Sequence, residues 1–124
     1  MAIYYNGKVV TPTFVVPHNI YDKVEICGTS NILLSETSTI YSFKPTSDTA
    51  ISFDTSNLIN TDIEYTTFML VLDFTDGVYN ITWPNTVEWG NITPTITSNV
   101  KYMFSFTKPA GVNKWVGNQM FSFQ

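Results

Sequence analysis

The sequence predicts an all-β chain, an antiparallel, jelly-roll-like β-sandwich built as a single domain. Three observations carry that expectation. Apolar and aromatic residues recur at every second position, helical spacing is sustained nowhere, and the short runs are separated by residues that favour turns. About nine short strands punctuated in this way suit two packed sheets.

Taken in order, the first sixteen residues hold short apolar pieces, Ile3–Asn6, Gly7–Val10 and Phe14–Val16, interrupted by Pro12. Residues 1–16 read as an N-terminal arm or a first hairpin, and residues 17–124 as the sandwich domain. Asn6-Gly7 is a hairpin signal, because both central residues of the favoured two-residue turn need φ > 0. Val24 and Ile26 alternate with Glu25 and Cys27, and Tyr41/Phe43 and Ile51/Phe53 repeat the pattern. The segment Thr55–Asn60 is the best place for a short helical connection. Phe68, Leu70, Leu72 and Phe74 line one face of the next run, and Met69 and Val71 make its other face apolar as well. That is how a central strand covered on both sides reads. Asp76-Gly77 offers a second hairpin turn. Tyr79, Ile81 and Trp83 then share a face, followed by Val87/Trp89, by Val100, Tyr102, Phe104 and Phe106, and by Phe121/Phe123. Lys108-Pro109-Ala110-Gly111 has Pro second and Gly fourth, as a type I turn prefers.

Composition narrows the function. The chain has 124 residues, 44% hydrophobic and 15% aromatic, which is enough to build a core without disulfides or metal. Net charge is −4, and all six basic residues are lysines. Nucleic-acid binding is not expected, since phosphate contact draws on clustered Lys and Arg. No apolar stretch approaches the ~20 residues of a membrane span, and the N-terminus lacks the pattern of a signal peptide. The product is expected to be made in a cytoplasm. The sequons at Asn80 and Asn91 read as chance matches.

A search for chemistry finds little. His18 is the sole histidine and follows Pro17 in a loop; Cys27 is the sole cysteine and reads as a packed thiol. One His and one Cys cannot supply the four ligands of a structural zinc site. Asp73 and Asp76, with Asp62 and Glu64 upstream, lack the alternating oxygen ligands of a dedicated calcium loop. No nucleophile elbow and no phosphate loop occur. The expectation is therefore a non-enzymatic protein with no catalytic residue, cofactor or metal. Aromatic side chains remain, and Trp83 and Trp89 read as core because they alternate with polar residues. Trp115 stands out of phase with Val116 and is the one candidate for a surface or subunit contact.

One stretch carries a resemblance. Tyr79-Asn-Ile-Thr-Trp83-Pro84-Asn-Thr-Val87-Glu-Trp89 is followed by Thr93-Pro94-Thr95, by Val100 to Phe106, and by Lys114-Trp115-Val-Gly117. This resembles a β-rich module at the C-terminal ends of bacteriophage tail and tail-fibre proteins. In that module a strand ending in Trp-Pro precedes Val-x-Trp, a Pro, a strand ending in Phe and a late aromatic-x-Gly. The match covers a little over a third of the chain. It departs from the module in having few glycines between Trp89 and Pro94, and Pro109-Ala-Gly111 where the module has an acidic-Gly turn. The resemblance implies packing roles for Trp83, Pro84, Val87, Trp89 and Pro94. It also implies a virion location, as a small head-decoration, fibre or tail-associated component that assembles with other virion proteins. A homo-oligomer is expected, a trimer first. The alternative is a carbohydrate-binding module that recognises a host surface glycan.

Overall fold

The computed structural model describes residues 24–90 and 92–124, together with the backbone of the strands Ile3–Tyr5 (β1) and Lys8–Val10 (β2). The remaining strands are β3 (Val24–Cys27), β4 (Asn31–Leu33), β5 (Ile40–Phe43), β6 (Thr49–Ala50), β7 (Ser52–Asp54) and β8 (Thr66–Asp73). They are followed by β9 (Ile81–Thr82), β10 (Val87–Trp89), β11 (Lys101–Lys108) and β12 (Trp115–Phe123). Among the described residues there is no helix, so the protein is all-β.

The main sheet has six strands in the order β10-β12-β11-β8-β5-β3. It is mixed, which corrects the antiparallel expectation. β11 runs antiparallel to both β8 and β12, whereas β3 with β5, β5 with β8, and β10 with β12 are parallel. Alternation reports which face a residue occupies and is blind to the direction in which strands pair. Parallel neighbours need a crossover of a dozen or more residues, usually a helix. Here residues 28–39 and 44–65 make the crossovers without one. The first carries β4, the second carries β6 and β7, and β4 and β7 pair in parallel as a second leaf. β6 pairs in parallel with β9 in turn. The chain thus winds: β3, β5 and β8 return to the main sheet side by side, each excursion pairs with the one before, and β10 returns at the far edge beside β12.

The inner face of the main sheet holds the core. Phe68, Leu70, Leu72 and Phe74 are buried, as are Tyr102, Phe104 and Phe106 of the neighbouring strand. Register places Phe104 beside Leu70 and Phe106 beside Phe68, so the two alternating faces expected from sequence meet edge to edge. The leaf closes over them. Ile32 of β4 is fully buried, and the ring of Phe53 of β7 packs at 5.0 Å from that of Phe68 and 4.8 Å from that of Phe106. β8 lies inside the sheet between β5 and β11, in keeping with its apolar composition.

Several local expectations are corrected. Residues 55–58 form a turn, with Leu58 N–H donating to the Thr55 carbonyl, and Asn60, at φ 59°, opens the next one. Asp76-Gly77 does not close a hairpin. The turn spans Phe74 to Gly77, because Asp73 accepts from both the amide and the hydroxyl of Thr75 and so starts the turn earlier. After it the chain leaves for β9. Between β11 and β12 the turn is one residue later than its Pro suggested. Val112 N–H donates to the Pro109 carbonyl, so Gly111, at φ +69°, sits at the third position, which requires that conformation. β1 and β2 pair as an antiparallel hairpin, with Tyr5 opposite Lys8. The rest of the segment 1–23, with the arm reading and Phe14–Val16, lies outside the described residues.

Candidate contact surface

Of the motif residues Trp83, Pro84, Val87, Trp89 and Pro94, Trp83, Val87 and Trp89 pack on the core as one layer, and Pro94 lines a groove beside Trp83. Trp83 meets Trp89 edge-on at 5.1 Å, and both lean on Phe104 and Phe106. Val87 lies beside Trp115 and Trp89 beside Gly117 in the parallel pairing of β10 with β12. All five motif residues are half-buried. The late aromatic-x-Gly, Trp115-Val116-Gly117, has a steric origin here. A Cβ on Gly117 would come 2.8 Å from the Trp89 ring and 2.9 Å from Phe106, so only glycine lets β12 pass under both.

Trp115 itself is a correction. It is 3% exposed and packs against Phe53 and Phe68, so it presents no ring to a ligand or a subunit. Alternation with Val116 leaves its face open, and the pairing with Val87 turns it inward on the same side as Gly117. His18 lies outside the described residues. Cys27 is half-buried beside the core, and burial, then the neighbouring Glu25, push its thiol above the usual range. Asp76 is paired with Lys44 at 2.6 Å in solvent, and Glu64 is exposed. No group of three or more potential metal ligands lies together among the described residues.

Two grooves remain. One, of about 500 Å³, runs along β3 and β4 between Glu25, Cys27, Asn31 and Leu33. The other, of about 240 Å³, has Tyr79 and Trp83 facing Pro94 and Ile96, with Asn80 and Thr95 at its polar rim.

The feature that sequence reasoning missed is the outer face of the main sheet. Residues paired in register share a face, and pairing links Ile26, Ser42, Val71, Met103 and Phe121 into one row across five strands. A second row joins Val24, Ile40, Met69, Ser105 and Asn118. Ile26 is 76% exposed, Phe121 50% and Val24 44%, while Val71, at the middle of its row, is buried. Val71, Met69, Met103 and Ile40 stand outside the core cluster, which gathers side chains from the opposite face. The leaf and the aromatic layer both lie on that opposite side, through Ile32, Phe53, Ile81 and Trp83. The signal in the sequence is the apolar pair Met69 and Val71 of β8, which alternation alone assigns to a covered interior.

No family model matches the chain, and no curated protein and no solved structure matches it either.

Proposed function

We propose that the chain is a non-catalytic structural component of a bacteriophage virion, a small head-decoration, fibre or tail-associated protein that acts through protein-protein assembly. The observation that carries this reading is the apolar outer face of the main sheet. Exposed apolar surface arranged as a continuous patch marks a contact site far more often than a solvent face. The virion assignment rests on the resemblance of residues 79–117, and the half-buried Trp83 and Trp89 on Phe104 and Phe106 are consistent with the packing role that resemblance implies. The partners are other virion proteins and further copies of the chain, a trimer being favoured. Symmetric closed assemblies are the common way in which one chain covers such a face.

The architecture belongs to the same proposal. A two-layer β-sandwich in the broad sense is supported by Phe53 of β7 reaching across to Phe68 and Phe106. The parallel returns lend no support to jelly-roll order.

The test is mass spectrometry of purified phage particles from a host in which the gene is expressed. The chain should co-purify with particles in a fixed stoichiometric ratio and survive a salt wash; its absence from every particle preparation would overturn the assignment. A second reading, recognition of a host surface glycan, is favoured by the groove that Tyr79 and Trp83 line together with the polar Asn80 and Thr95. Binding on a glycan array that is lost in Tyr79→Ala would support it.

A further inference from the structure

We infer that the outer face of the main sheet is the surface through which copies of this chain bind one another, sheet against sheet, around a symmetry axis. The inference deepens the assembly reading, since it rests on the chain acting through contacts with other chains, and it names the partner as the chain itself.

Three observations carry it. First, the apolar rows run from Ile26 on the β3 edge across to Phe121 on β12, so the patch belongs to the sheet as a unit. An ordinary solvent face of an antiparallel or mixed sheet carries polar residues at most of these positions. Second, the size is right. Five strands about 4.8 Å apart and roughly six residues long cover a flat footprint on the order of 500 Å², which side-chain relief raises toward the ~800 Å² per partner of a standard interface. Third, the face complements itself in charge. The two rows carry no ionised group, and at their rim Lys101 lies directly beside Asp73 in register. A copy brought over by a symmetry axis can set its lysine against this chain's aspartate and its apolar rows against these. A basic or an acidic partner would find no excess of opposite charge to meet.

The apolar rows also explain why Met69 and Val71 sit on the outward side of a strand whose other side is devoted to the core. The rows they belong to are closed by the same face of other copies around the axis.

The experiment uses the full chain. Its mass is measured by light scattering and sedimentation over a wide concentration range, beside Ile26→Glu and Phe121→Glu. Both side chains are half or more exposed, so neither change disturbs the core, and circular dichroism with thermal melting checks that each variant is folded. The wild type should be a closed oligomer, and each variant should dissociate with at least about 100-fold weaker association, because a carboxylate would be buried without a partner. A third variant, Ile92→Glu, alters an apolar residue that is 79% exposed and belongs to no strand of the main sheet, and should leave the association unchanged. A folded wild type that stays monomeric at high concentration would overturn the inference, as would an oligomer indifferent to Ile26→Glu and Phe121→Glu. Either result leaves the virion reading standing if particles contain the chain. An oligomer that is broken by both substitutions, while particles lack the chain, would uphold self-association and overturn the virion reading.

Discussion

Gly117 shows how much a single hydrogen atom decides in this fold. Two rings lie where its Cβ would be, one from the parallel neighbour β10 and one from the antiparallel neighbour β11. Gly117→Ala should therefore cost about 1–3 kcal/mol by overpacking, with no loss of any surface property, as measured by the shift in urea midpoint. An unshifted midpoint would mean that the aromatic layer moves freely. Acid should act through two carboxylates. Asp54 is held below the usual range by the Ser56 amide, then by its hydroxyl and by Asn31. Partial burial works against Asp73, but the hydroxyl and amide of Thr75, with Lys44 and Lys101 nearby, outweigh it and lower its titration too. A carboxyl whose folded value is depressed stabilises the protein above its unfolded value, near 4, and loses that contribution as pH falls through the folded one. The melting temperature should hold from pH 7 to about 5 and fall below about 4, and Asp73→Asn should flatten the acid limb. A limb as steep in the variant would assign the effect elsewhere.

At the scale of elements, loops hang on buried tyrosine hydroxyls. Tyr102 of β11 accepts N–H bonds from both Thr97 and Ser98, so one phenol anchors the loop that follows Pro94. Tyr102→Phe keeps the ring on Phe74 but orphans two part-buried amides, and should destabilise by about 1–3 kcal/mol with faster hydrogen exchange in residues 95–99. Exchange that stays as slow as in the wild type would show that other contacts hold the loop. Strand faces of this kind were legible in the sequence because period two is a local signal: Phe68, Leu70 and Leu72 all point where alternation put them. Pairing direction was not legible, since nothing within a strand distinguishes a parallel neighbour from an antiparallel one. Turn type was hidden for a related reason. Asp76-Gly77 looks like a hairpin only if its flanking strands pair, and β8 pairs instead with strands remote in sequence. Val24 and Ile26 alternate as core residues would, and their exposure follows from which face the leaf covers. That choice is made by β4 and β7, far from the strand itself.

The winding of the whole molecule has a kinetic consequence. Among the described strands, only β1 with β2 and β11 with β12 are paired neighbours close in sequence; β3, β5 and β8 come together only after residues 28–39 and 44–65 have closed their loops. Loop closure costs entropy before the contacts that offset it exist, and folds dominated by such pairing are slow. Refolding should therefore take longer than about a millisecond, with the β11–β12 hairpin as the element able to form first. Trp83, Trp89 and Trp115 make this observable by stopped-flow fluorescence, because all three enter the same aromatic core. The slow phase should not depend on protein concentration, whereas closure of the outer face against another copy is bimolecular and should appear as a later phase that quickens with concentration. If the tryptophans reported burial within microseconds in a single phase, the core would have to assemble from local contacts, and the wound order of strands could not be what limits it.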